Sequence, residues 1–132
     1  MHAGDLPEEV RRFIFQHINS VEQLEILLLL RQQPGRAWSA DAVARELRIA
    51  SESAGERLED MASARLLLRQ GVRPEEYRYA PETMKLDDAV RGLATGYATR
   101  RVTVINLIYS KPIDRIRTFA DAFRLRKDDD NG

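Results

Sequence analysis

The sequence has no cysteine, which excludes disulfides, thiolate metal sites and a cysteine nucleophile. Histidine is nearly as scarce. His2 is terminal and His17 lies on an apolar helical stripe, so no histidine pair has metal-ligand spacing. No glycine-rich phosphate loop follows a strand pattern, and the many carboxylates single out no catalytic pair. Charge of one sign is not in excess either. The 21 basic and 21 acidic residues cancel, so no overall field draws the chain to nucleic acid or to a membrane surface. The strongest apolar runs, Ile26 to Leu30 and Val102 to Tyr109, fall far short of the ~20 residues a membrane helix needs. The first five residues, Met1 to Asp5, are polar and lack the apolar core of an export signal. These absences predict a non-enzymatic, cytoplasmic protein with no cofactor and no metal, away from membranes.

What is present is helical periodicity with one short β interval. A chain of 132 residues has room for one ordinary core plus an appendage. Glu8 and Glu9 after Pro7 favour a helix start, and Val10, Phe13, Ile14, His17 and Ile18 follow at helical spacing. Ser20 with Gln23 matches a capping box. The helix it opens carries Leu24 and Ile26 to Leu30, is apolar on nearly all sides, and should sit at the centre of the domain. Gln33-Pro34-Gly35 ends it.

From Ser39 to Ala80 the order is helix, tight turn, helix, hairpin. Ala37-Trp38 reads as a short extended segment and Ser39 as the cap of a third helix with Val43, Ala44 and Leu47 inward. Arg48-Ile49-Ala50 makes the turn, and Ser51 is predicted to cap the fourth helix, 51–64. Leu66 to Gln70 and Glu76 to Ala80 alternate apolar and polar residues as half-buried strands do, around the loop Gly71-Val72-Arg73-Pro74-Glu75. At about 100° per residue, Ala54, Leu58 and Met61 share the inner face of the fourth helix. Glu52, Glu56 and Glu59 lie opposite, with Asp60 close by. Arg57 falls on the flank.

After Pro81 the register changes. Leu86, Val90, Leu93 and Tyr97 alternate spacings of four and three, as in a coiled-coil seam, and Arg100 breaks strict continuity before Val104 and Leu107 resume it. One helix from Glu82 to Ser110 would be roughly 42 Å long, too long for so small a domain to cover. The sequence therefore predicts that Leu86, Val90, Leu93, Tyr97, Val104, Ile105 and Ile108 form a dimer interface. Gly92 and Gly96 either let two helices approach closely or mark a break near Gly96. Lys111-Pro112 stops the helix. Ile113, Ile116, Phe119, Ala120 and Phe123 suggest a shorter last one, followed by an acidic tail. The expected divisions are a winged helix-turn-helix domain at 1–81, a helical dimerisation extension at 82–127 and a disordered acidic tail at 128–132.

The pattern resembles the bacterial winged helix-turn-helix superfamily, and within it the small dimeric regulators of the multiple-antibiotic-resistance and phenolic-acid-decarboxylase types. The likeness is carried by Trp38 to Leu47, by Leu58-Glu59-Asp60-Met61 with Ala64-Arg65-Leu66-Leu67, and by Tyr77-Arg78-Tyr79. It covers about half of the chain. The resemblance implies a mostly α fold with a small β-hairpin wing, a second helix that reads the major groove and a wing that touches phosphate or the minor groove. A glycine commonly closes that second helix. Arg65 stands near the point here, so a different helix end is expected.

Two functional expectations follow. Four outward carboxylates repel a phosphate backbone, so the first is a regulator-type module that docks a basic protein partner through Glu52, Glu56, Glu59 and Asp60. The alternative is a dimeric DNA-binding transcriptional regulator that uses the 51–64 helix and the 66–80 wing. Its contacts would come from Arg45, Arg48, Ser53, Arg57, Arg69 and Arg73. Both expect a homodimer.

Overall fold

The computed structural model describes residues 6–110. The expectations of a final short helix and an acidic tail fall outside them.

Helix α1, Glu8–His17, starts at Pro7 with two glutamates in its first turn and buries Val10, Phe13 and Ile14. Helix α2, Val21–Gln32, is capped by Ser20, whose side chain accepts from the Gln23 N–H at 3.0 Å. The Gln23 carboxamide closes the cap from the other side. It accepts from the Asn19 N–H and donates to the His17 carbonyl, both at 2.8 Å. Leu24, Ile26, Leu27 and Leu30 have no solvent exposure, which makes α2 the centre of the core, as its all-round apolar sequence implies.

Strand β1, Trp38–Ser39, runs into helix α3, Ala40–Leu47, capped by the Ser39 hydroxyl. The turn after α3 closes at Arg48, and helix α4 spans Ser51–Ser63. Ala50 rather than Ser51 occupies the cap position, and no side chain caps α4. Strands β2, Leu67–Gln70, and β3, Glu76–Tyr79, form the hairpin, and β1 adds to its far side in the order β1-β3-β2 with Trp38 opposite Tyr77. The result is a winged helix-turn-helix with a three-stranded wing sheet.

Two arginines occupy positions that favour glycine. Arg48 and Arg65 have φ of 59° and 67°, the left-handed region that costs an L-residue about 1–2 kcal/mol. The end of α4 does not differ as expected. Arg65 adopts the closing geometry itself, with the Leu66 N–H bonded to the Met61 carbonyl at 3.0 Å, the pattern of a left-handed C-terminal closure.

The region after Pro81 corrects the sequence reading. Of the two forms left open, one rod or a break near Gly96, the chain takes the broken one, as helices α5, Met84–Thr99, and α6, Arg101–Tyr109. The break falls at Arg100, whose φ and ψ of −138° and 53° leave the helical region four residues beyond Gly96. This turn brings α6 back onto α5 and α1. The chain thereby covers its own seam: Val90, Leu93, Tyr97, Val104 and Ile108 are buried inside it. As core residues these five are not a free surface awaiting a second chain. Leu86 and Ile105 remain half-buried. Gly92 and Gly96 do permit a close approach, but the partners belong to the same chain: Val10 on α1 and Leu6 just before it. One buried cluster runs from Leu6 to Ile108.

Candidate nucleic-acid interface

The surface made by α3, its turn, α4 and the wing is positioned by apolar contacts beneath it. Ala54, Leu58 and Met61 are fully buried and fix the roll of α4 against α2 and α3. The same roll leaves Glu52, Glu56, Glu59 and Asp60 exposed, as the sequence angle requires.

These four carboxylates are not equivalent. Asp60 Oδ2 lies 4.0 Å from Arg57 Nη1, and Glu59 Oε1 lies 4.0 Å from Arg69 Nη2 on β2. Arg69 Nε also faces Glu75 Oε1 at 3.6 Å, and its guanidinium lies 5.8 Å from the centre of the Tyr77 ring. The Tyr77 hydroxyl donates to Glu75. Burial, and then that hydrogen bond to a carboxylate, raise the Tyr77 pKa above the ordinary tyrosine value. By contrast, the side chains of Glu52 and Glu56 make no hydrogen bond or ion pair among the described residues. The surface thus holds two partly neutralised acids and two bare ones, rather than four bare ones.

The six residues of the DNA-contact set divide in a similar way. Arg45 at the end of α3, Arg48 in the turn and Arg73 in the wing loop are exposed, and their side chains have no ion-pair partner among the described residues. Ser53, Arg57 and Arg69 are engaged internally. The Ser53 hydroxyl donates to Glu22 Oε1, and Arg57 Nε stands 3.7 Å from the same carboxylate oxygen. Arg65, beyond the helix end, pairs with Glu82 at 2.7 Å and ties the foot of the wing to the approach to α5.

Sequence reasoning missed Glu22, Glu75 and Glu82 as members of this surface. Glu75 lies in the hairpin loop two residues before Tyr77, the register partner of Arg69, so a hairpin register could have placed it near that arginine. Glu22 sits in the first turn of α2, where it reads only as a favourable helix-start residue. Nothing in a linear pattern carries it to Ser53, 31 positions away. Among the described residues no group of three or more His, Asp or Glu could hold a metal ion, and no helix is long and apolar enough to cross a membrane.

No family model matches the chain, and no curated protein matches it. Solved structures do. The S. aureus MepR F27L mutant bound to an oligodeoxyribonucleotide matches with a TM-score of 0.52 and 14% identity, over 91% of this chain and 87% of that one. The multiple antibiotic-resistance repressor of Listeria monocytogenes matches with a TM-score of 0.49 and 15% identity, over 91% and 82%. A MarR family protein from Bacillus stearothermophilus matches with a TM-score of 0.47 and 13% identity, over 95% and 84%. At such identities the MepR likeness establishes the fold and nothing finer.

Proposed function

We propose that this chain is a non-catalytic regulator that binds duplex DNA as a dimer, through α4 and the wing. One observation carries the reading. The exposed, unpaired arginines Arg45, Arg48 and Arg73 stand on the three elements around α4, while Glu59 and Asp60 are partly neutralised by Arg69 and Arg57. Four bare carboxylates on this face would repel phosphate. Two remain, and a glutamate can accept a hydrogen bond from a cytosine amine when cations elsewhere meet the phosphates. The MepR fold, solved on an oligodeoxyribonucleotide, supports carrying this use of the fold to the present chain.

The dimer surface proposed with it differs from the buried seam. Val102, Ile105 and Tyr109 form a stripe along α6, with Val102 70% and Tyr109 62% exposed. A second copy is the proposed cover.

The test is fluorescence anisotropy with a labelled mixed-sequence duplex across a salt series. Three free arginines in each of two protomers give an expected slope of log K against log salt near −5, at about 0.9 per phosphate neutralised. Arg45→Ala, Arg48→Ala and Arg73→Ala should each make the slope shallower. No binding even at low salt would sink the reading.

A second reading is favoured by Glu52 and Glu56, which stay unpaired and outward: this face docks a basic protein instead. The double variant Glu52→Lys with Glu56→Lys separates the two by sign. A DNA binder gains affinity for duplex from it, whereas a module built for a basic partner loses that partner.

A further inference from the structure

Glu22 is fixed before it meets α4. It lies in the first turn of α2, between the Ser20 cap and the Gln23 closure, so its backbone has little freedom. Its side chain addresses two residues one helical turn apart on α4. The Ser53 hydroxyl donates to Oε1, and Arg57 Nε approaches the same oxygen at 3.7 Å. Both belong to the set that the DNA-binding reading assigns to nucleic acid.

The contact to Arg57 is loose. At 3.7 Å from Glu22 and 4.0 Å from Asp60, the guanidinium is held by charge, not by fitted hydrogen bonds. Its Nε is buried without a hydrogen-bond partner. The Arg57 and Glu22 side chains keep 33% and 30% of their exposure, so solvent and ions reach the pair. A phosphate can offer the guanidinium two aligned, charge-assisted hydrogen bonds, which neither carboxylate offers here. The arrangement holds Arg57 weakly and can exchange it. Arg69 repeats the theme on the wing, spanned between Glu59 at 4.0 Å and Glu75 at 3.6 Å.

We infer that Glu22 is a positioning residue that withholds Ser53 and Arg57 from nucleic acid, so that DNA engages α4 fully only by displacing this internal carboxylate. The inference rests on the DNA-binding reading. Glu22 sets how many cations the surface presents, and with it the affinity and the salt dependence. Binding by the unaltered chain is then weaker than its arginine count suggests, because Arg57 changes partners instead of gaining one.

The experiment uses the full chain and a fluorescein-labelled mixed-sequence duplex, with anisotropy read across a salt series. The proteins are the parent, Glu22→Gln, Arg57→Ala and the double variant. Glu22→Gln keeps the shape and removes the charge. It should bind about five- to tenfold tighter at low salt, with a slope steeper by about 0.9 per released arginine. The gain should vanish when Arg57→Ala is added. A purely structural Glu22 would lower the melting temperature and leave the slope where it was. If Glu22→Gln folds poorly, Asp60→Asn releases the same guanidinium from its other neighbour and should steepen the slope likewise. Parent binding with an unchanged slope in both variants overturns the inference and leaves the DNA reading standing. No binding by any of the proteins removes both.

Discussion

Gly92 on α5 lies directly against Val10 on α1: a Cβ at Gly92 would stand 2.6 Å from the valine Cγ2, closer than any van der Waals contact allows. The valine is stiff, because its branched side chain has one strongly preferred rotamer in a helix. Gly92→Ala gains about 1 kcal/mol in helix propensity, yet overpacking of this kind costs about 1–3 kcal/mol. Denaturant unfolding should therefore show net destabilisation. A Cβ at Gly96 would stand 2.8 Å from the terminal Cδ2 of Leu6, the free end of a longer side chain, so Gly96→Ala should cost less. Adding Val10→Ala to Gly92→Ala should recover part of the loss, which an unrelated helix defect would not allow.

Arg48 pairs a strained backbone with an exposed, unpartnered side chain. Glycine at this position relieves the left-handed strain, about 1–2 kcal/mol, and returns about 0.4–1 kcal/mol through the looser unfolded chain. Arg48→Gly should thus raise stability by up to about 1.5 kcal/mol, while Arg48→Ala, which keeps a Cβ, should not. If Arg48 also meets phosphate, the same glycine variant will be more stable and bind duplex DNA more weakly. A melting curve and a salt titration on one protein check both halves. Arg65→Gly is expected to gain less, because it also gives up the pair with Glu82.

Much of the fold was legible because local patterns dictate it. The Ser20 and Ser39 caps, the inward Ala54-Leu58-Met61 face and the hairpin around Gly71 all follow from chemistry within a few residues. What escaped needed information from elsewhere in the chain. The seam of Val90, Leu93 and Val104 was read correctly as apolar but assigned to a second chain. Only α1, more than seventy positions earlier, supplies the cover, and only the backbone at Arg100 lets α6 fold back to meet it. Arg65 was read through the usual glycine preference, and the tertiary fold overrode it. In the candidate site, the outward carboxylates were legible from angular spacing alone. Their neutralisation was not, because ion pairs such as Arg69 with Glu59 depend on how the wing lies beside α4.

Three tyrosines give the protein a sensitivity to alkali. Burial first, and then hydrogen bonds to carboxylates, raise the pKa of Tyr79 beside Asp87 strongly above the ordinary value of 10. Burial is also the largest cause for Tyr77, and for Tyr97 beside Glu25. A group whose folded pKa is raised keeps its stabilising effect fully below the unfolded value and loses it as pH climbs toward the folded one. The unfolded chain then holds fewer protons than the native one, and stability falls with pH. Thermal melts should be flat just below pH 10 and decline above it, by roughly 1.4 kcal/mol per pH unit for each such tyrosine. Tyr79→Phe should lower stability near neutrality by about 1 kcal/mol through the lost hydrogen bond and make the alkaline decline shallower. An unchanged alkaline slope would show that Tyr79 does not contribute to it.

The two faces of α6 should answer differently to mutation. Val104 and Ile108 point inward and are essentially without exposure, whereas Val102 and Tyr109 are mostly exposed on the other side. Removing side-chain volume from the inner face, or from Leu93 beneath it, leaves a cavity, and Leu93→Ala should cost about 2–5 kcal/mol of stability. Among the described residues both side chains keep most of their exposure, so Val102→Glu with Tyr109→Glu should change the stability of the isolated chain by no more than about 0.5 kcal/mol. If a second copy covers the stripe, each new carboxylate would be buried unpaired on association, a cost that opposes the dimer. Sedimentation should then show the double variant as a monomer at concentrations where the parent is a dimer. Affinity for duplex DNA should fall with it, because two linked reading surfaces bind more tightly than one. A double variant that sediments like the parent would place the contact between copies elsewhere.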